Sequence, residues 1–592
     1  MNSTDTLSFL SHRRQLLILV ILALGLNINT LRNQYALDDV VVMTGNSLVK
    51  KGIKGIPELL TKDMFYGLDK KGNDLSGGRY RPLSLVLFAL EHEVFGESPF
   101  VSHLINVLLF TMLILLLFLL LQRHLFREQH DLLAFLTCLV FVVHPVHTEV
   151  IANVKSRDEI IAFILLLLSS FSLIHYAEER KLSSMAWALL CFFLALLCRE
   201  SAVPFIVIVP LVAWFFYHQD IRSSLKWALP LAVVFIAYMI LRTAMVGFSQ
   251  STPAEVLNAP YLYASSGEAF ASKVYILCRY IWLLVFPYPL SCDYGYNQIP
   301  YVGLKSILFL ASLLVWAGLG FYAVYTFRVR SLVSFCILFF VSGLFLFSNF
   351  VINIGAPLAE RLLFQPSLGF CIILACLFLK VSSYLRTVAV TTLGTILLLF
   401  SIKTIQRNSD WESNETLYCH DVESAPNSVR TNMYAAHLFI TKAQEEKNPA
   451  VQAGYFHKAV GYDERIVNMD PHYAPIYEDL GVGYFGLKNY LRAADNWARS
   501  YSLDPENPYA RKRVDMISDV LYNEGNRLFK LGKADSAIIR YQRAVDLNES
   551  NVDAWYNLGT ACFSVKKASE GRQAWQVVAR LKPDYPFKTG AR

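Results

Sequence analysis

The stretch "PFVSHLINVLLFTMLILLLFLLL" (99–121) carries no Asp, Glu, Lys or Arg. As one helix it is long enough to cross about 30 Å of hydrocarbon. It is not isolated. Hydrophobic residues make up 54% of the 592-residue chain, above the roughly 45–50% of soluble domains, and the mean hydropathy is +0.38. Outward from 99–121, further apolar runs lie near 15–30, 131–143, 158–176, 183–198, 202–217, 226–241, 303–326, 332–350, 365–379 and 387–402, giving about eleven expected spans. The runs stop near residue 402. A membrane domain (1–405) and a linker (406–427) are therefore expected to precede a soluble domain (428–592).

Alternate loops carry basic pairs: Arg13 and Arg14, Arg123 and Arg127, Arg180 and Lys181, Arg222 and Lys226, Arg328 and Arg330, Lys380 and Arg386. The positive-inside rule places these on the cytoplasmic side, N-terminus included. The net charge of +7 is spread over these loops, so it reads as topology and not as a nucleic-acid footprint. The run "VYILCRYIWLLVFPYPL" (274–290) would invert every later loop if it crossed, and its Arg279, Tyr280, Trp282 and Tyr288 suit a headgroup boundary, so an in-plane helix is expected. The first run, "SHRRQLLILVILALGL", has the basic start of a signal peptide but no small-residue cleavage site after it, and is read as an anchor. Most of the ten cysteines lie inside apolar runs without metal-ligand spacing.

Residues 474–507 place Tyr477, Leu480, Gly481, Tyr484, Ala493, Trp497 and Pro505 at positions 4, 7, 8, 11, 20, 24 and 32 of a 34-residue unit. This is the tetratricopeptide pattern. It recurs at 518–551 and 552–585, with a divergent unit over about 428–473, so about four repeats are expected. Such an array presents a concave surface suited to an extended peptide, and serves equally as a scaffold.

Under this topology five polar clusters share the outer face: Asp38 and Asp39; Arg79, Tyr80 and Arg81 in "GGRYRPLS" (77–84); His144, His147, Glu149, Lys155, Arg157 and Asp158 in "HPVHTEVIANVKSRDE" (144–159); Arg199 and Glu200; and Glu360 and Arg361. Polar residues at membrane depth are costly, so their coincidence on one face points to an active site there. Each also has a plain reading. The Asp pair can cap a helix, Arg199 with Glu200 and Arg361 with Glu360 can be helix-orienting ion pairs, and Arg79 and Arg81 can snorkel to headgroups. His144 and His147 have a spacing open to a metal, but no third ligand is assignable and no metal site is assigned.

In order, "LDD", "RYRPLSLVLF", "HPVHTE", "CRESAVPF", "AERLLFQPSLGFC" and "RNSDWESNETL" followed by the repeats resemble the transmembrane and tetratricopeptide-repeat O-mannosyltransferase family. Few repeats and short external loops resemble a bacterial relative of it. The resemblance implies an all-α, GT-C-like membrane bundle followed by a repeat solenoid. It implies an inverting enzyme that moves a hexose, typically mannose, from a polyprenyl-phosphate donor to Ser or Thr of exported proteins. One of Asp38 and Asp39 would then be the general base and the other its orienter, with a shared divalent cation left open. Arg199 and Arg361, with Arg79 or Arg81, would meet the donor phosphate beside Glu200, and His144, His147 and Glu149 would contact sugar or acceptor. The partners implied are the bilayer, the lipid-linked donor and an exported acceptor protein held by the repeats. The implied location is the inner membrane with periplasmic repeats, or the endoplasmic reticulum membrane with lumenal ones. A transporter would need midplane polar residues and an internal repeat of the membrane half, and neither is found. A non-catalytic peptide-binding scaffold, or an enzyme of the same fold acting on a lipid or glycan, is the alternative.

Overall fold

The computed structural model describes residues 11–69, 78–127, 132–247 and 256–587. These are all helical or irregular, and they form two compact units that divide between Ser428 and Val429.

The first unit runs α1 (His12–Gly25), α2 (Pro82–Phe95), α3 (Pro99–Leu120), α4 (Leu133–Val143), α5 (Thr148–Ala152), α6 (Arg157–Glu179), α7 (Leu182–Cys198), α8 (Phe205–Phe215), α9 (Ala228–Val246), α10 (Ser266–Val285), α11 (Ile307–Tyr325), α12 (Leu332–Phe345), α13 (Ser367–Ser382), α14 (Arg386–Asp410) and α15 (Asn414–Ser424). Its core joins α1, α3, α4, α6 and α13. Phe110, Phe141, Phe163 and Phe364 interlock there with ring centroids 5.6 to 6.4 Å apart.

Among the described residues, six helices are long and apolar enough to cross a membrane, or seven if the bent pair α4–α5 counts as one span. This corrects the expectation of about eleven. Four expected spans are apolar helices of only 10–17 residues: Leu182–Cys198, Glu200–Phe215, Leu332–Phe345 and Ser367–Ser382. At 1.5 Å per residue, 17 residues rise about 25 Å, short of the hydrocarbon thickness. Proline makes several of the interruptions. Pro145 cannot continue α4, and His144 before it is extended (φ −70°, ψ 120°), bending the pair by 58°. The same punctuation stands at Pro82, Pro204 and Pro366, each just after a polar cluster. Residues 274–285 of the run expected at 274–290 belong to a helix that starts earlier, at Ser266, where Ser265 and Glu268 form a capping box, and 286–290 lie beyond its end at Val285. Glu268, Lys273 and Arg279 interrupt its apolar character.

The expected linker 406–427 is not a linker. Residues 406–410 finish α14, and Arg407, Asn408, Trp411 and Leu417 are buried in the first unit. The reason is polar. Arg407 grips Asp421 through two bonds of 2.6 and 3.0 Å, and Asn408 donates to the Leu26 carbonyl at 2.9 Å.

The second unit contains four antiparallel helix pairs: α16 (Val429–Glu445) with α17 (Pro449–Met469), α18 (Ala474–Gly486) with α19 (Tyr490–Leu503), α20 (Pro508–Lys530) with α21 (Ala534–Leu547), and α22 (Val552–Ser564) with α23 (Ala568–Leu581). Their close approach depends on glycine. A Cβ on Gly481 would lie 2.2 Å from Trp497 Nε1, and one on Gly559 2.3 Å from Trp575 Cδ1. Both indoles donate across the pair, to the carbonyls of Glu478 and Tyr556, at 3.1 Å.

Candidate active site

The proline-marked breaks gather polar side chains at one end of the first unit. Asp158 and Glu159 occupy the first turn of α6, where the helix dipole favours acids. Arg81 precedes α2, Arg199 ends α7 in an extended conformation (φ −162°, ψ 146°), and Glu360 and Arg361 form a short turn before α13.

Asp39 is fully buried and accepts two main-chain N–H bonds, from Ala36 at 3.0 Å and Lys155 at 2.8 Å. Burial pushes its carboxyl up to about 7 despite these donors. Asp38 makes no side-chain capping bond, which removes the capping explanation. Its side chain keeps 35% of its surface exposed, and its carboxylate meets the Lys155 ammonium at 3.1 Å.

Asp158 joins Arg81 (3.0 Å) and Arg199 (2.6 Å), and both guanidinium groups are nearly buried. Arg81 also holds Glu200 through two further contacts of 2.7 and 3.0 Å. Arg199 holds Glu159 at 2.8 Å, and Ser201 donates to the same carboxylate at 2.6 Å. Arg361 pairs with Glu149 through its guanidinium and through its own N–H at 2.9 Å. Burial opposes the Arg361 charge, yet Glu149 and then Asp38 hold its pKa above the ordinary value. Arg79 stacks over Phe65 at 5.8 Å. Burial, with Arg81 next, lowers it to about 10, and Glu200, Arg361 and Asp38 act on it as well. Asp38, Glu200, Arg79 and Arg361 therefore form the accessible part of one charged cluster over a buried ionic floor.

Several expectations change. The adjacent pairs Arg199–Glu200 and Glu360–Arg361 are not ion pairs. Arg199 turns to Asp158 and Glu159, Glu200 to Arg81, and Arg361 to Glu149. Glu360 instead accepts from Ser291 N and Tyr294 Oη, each at 2.7 Å, and burial raises its carboxyl to about 8. His144 and His147 are buried with both ring nitrogens engaged. His144 bonds Val146 N and the Leu284 carbonyl, and His147 bonds the Phe141 carbonyl and Ser367 Oγ. That satisfaction leaves them no donor or acceptor for sugar, and they fasten the α4–α5 bend. Glu149 is likewise committed to Arg361. Lys155 was visible in its stretch but had no assigned role. Its signal was a cation three residues before Asp158 at a helix start. Among the described residues, no three His, Cys, Asp or Glu side chains are grouped to hold a metal ion. Gly77, in the second polar cluster, lies outside the described residues.

A TPR repeat model matches residues 525–564. Human protein O-mannosyl-transferase TMTC3 is 25% identical over 574 residues, covering 83% of this chain and 60% of its own. Protein O-mannosyl-transferase F38B6.6 of Caenorhabditis elegans is 26% identical over 70% of this chain and 59% of its own. Human protein O-mannosyl-transferase TMTC1 is 25% identical over 76% and 55%. The chain thus spans about three fifths of the length of the curated relatives it matches. Among solved structures, that of MamA covers 28% of this chain and 85% of its own at 18% identity, with a TM-score of 0.17.

Proposed function

We propose, for a chain that is an integral membrane relative of the TMTC protein O-mannosyl-transferases with tetratricopeptide repeats, that it is an inverting GT-C glycosyltransferase. It moves a hexose, mannose first among them, from a polyprenyl-phosphate donor to Ser or Thr of exported proteins on the outer membrane face. The observation that carries this reading is Asp38, a half-exposed carboxylate paired with Lys155 and set among Arg79, Arg361 and Glu200.

Asp38 accepts the hydroxyl proton as the acceptor oxygen attacks the anomeric carbon. The sugar–phosphate bond breaks, its electron pair stays on the lipid phosphate, and attack opposite the leaving group inverts the centre. Arg361 and Arg79 are placed to meet the phosphate, because Glu149 orients Arg361 while 22% of its side chain stays exposed. Arg81 and Arg199 are nearly buried and held by carboxylates, so they position the floor of the site instead of binding donor. Asp39 orients the loop that carries Asp38. The repeats hold the acceptor polypeptide.

The test compares sugars on Ser and Thr of exported proteins from cells carrying the wild type, Asp38→Asn, Asp39→Asn or no copy. Asp38→Asn is expected to be produced at the normal level and to lose the same hexose sites as the deletion. If its sites match the wild type, the base assignment fails and the scaffold reading replaces it.

A further inference from the structure

Lys155 holds both members of the acidic pair, Asp39 through its N–H at 2.8 Å and Asp38 through its ammonium at 3.1 Å. Only 5% of the Lys155 side chain is exposed against 35% of that of Asp38. The ammonium therefore sits behind the carboxylate, shielded from water, and a buried charge stripped of its partner is strongly disfavoured. Protonation of Asp38 creates that situation.

Among the described residues, the groups around Lys155 supply no second partner. Arg361 and Arg199 act on Lys155 as like charges. Asp158, the other acid acting on it, is divided between Arg81 and Arg199. Asp39 is spent on the N–H groups of Ala36 and of Lys155 itself. Among the described residues, Arg79, Arg361 and the Tyr418 phenol also act on Asp38, and none of these is an anion.

We infer that Lys155 exchanges partners during transfer, leaving Asp38 as that carboxylate is protonated and pairing with the phosphate of the departing lipid. The inference rests on the function proposed above. The hydroxyl proton passes to Asp38, the oxygen–C1 bond forms, and the C1–oxygen bond to phosphate breaks with its electron pair on phosphate. Asp38 loses one negative charge as the phosphate gains one. The ammonium follows that charge. A flexible lysine suits the exchange, because the guanidinium forks of Arg81 and Arg199 are each tied down by carboxylates.

The experiment uses the full chain in phosphatidylcholine nanodiscs and a short-chain polyprenyl phosphate as probe, with binding measured for the wild type, Asp38→Asn, Lys155→Gln and the double variant. Asp38→Asn mimics the protonated state and is expected to bind the probe about tenfold more tightly than the wild type, a gain the double variant lacks. A second readout leaves Lys155 in place. In Asp38→Asn the probe protects the Lys155 amine from an amine-reactive label, followed by peptide mass spectrometry. Unchanged affinity in Asp38→Asn, a gain that survives in the double variant, or absent protection overturns the exchange while the proposed function stands. If the wild type binds no polyprenyl phosphate, the exchange and the proposed function fall together.

Discussion

Asp39 links the acidic pair to stability. Its carboxyl sits at about 7 in the folded chain against an ordinary 3.8, with burial as the main cause. The unfolded chain then gives up its proton first as pH rises, so the native state loses stability between about pH 4 and 7. At ~1.4 kcal/mol per unit over about three units, the loss approaches 4 kcal/mol at most. Asp39→Asn removes this dependence. In detergent-purified protein the wild type is expected to gain melting temperature on acidification from pH 7 to 5 relative to Asp39→Asn, and parallel curves for the two would refute it. Glu149 makes a separable prediction. It orients Arg361 from a buried position while Arg361 stays partly exposed. Glu149→Gln is expected to raise the donor KM about tenfold, some 1.4 kcal/mol, with a smaller change in kcat, read by steady-state kinetics on a synthetic donor.

Among elements, the repeat helices were legible because their sequence is a packing constraint. Gly481 is small because Trp497 fills the space its Cβ would need. Gly481→Ala is expected to force α18 and α19 apart at a cost of about 1–3 kcal/mol, seen as faster proteolysis inside the repeats of the full chain. Three of the polar clusters were legible for a related reason, since those at 79–81, 199–200 and 360–361 each lie shortly before a proline at the start of a helix, Pro82, Pro204 and Pro366. Their partners were not. Arg199 and Glu200 adjoin in sequence, yet the extended backbone at Arg199 turns their side chains to different neighbours, and Glu200 meets Arg81 across 119 positions. The sugar or acceptor contacts expected of His144 and His147 fail on burial, which sequence does not show, because the fold spends both rings on main-chain and serine bonds. Span number is not legible from apolar length alone, because the apolar runs continue through breaks that the helices respect. The end of α14 is hidden in the sequence because the polar residues Arg407 and Asn408 suggest solvent, whereas both are bonded and buried.

For the whole molecule, each compact unit has its own hydrophobic core, the aromatic centre of the membrane unit and the Trp497 and Tyr541 cluster of the repeats. The membrane unit is therefore expected to persist without residues 429–592. A chain ending at Ser428 should still bind polyprenyl phosphate, by the same nanodisc measurement, while modification of exported proteins disappears. Retained protein modification would show that the repeats do not hold the acceptor.

The ionic floor also imposes an order on biogenesis. Arg81 finds Asp158 and Glu200 only 77 and 119 positions later in the chain. During synthesis its guanidinium must wait, uncompensated, while the intervening helices enter the bilayer. Nascent chains halted before Asp158 therefore carry Arg81 without the two carboxylates that hold it in the folded chain. Once Glu200 has emerged, the charges close on one another and the helices that bear them can no longer part cheaply. Ribosome-stalled chains should pass from short-lived to persistent across that interval, so the groups that form the ionic floor also set the moment at which the nascent protein becomes safe.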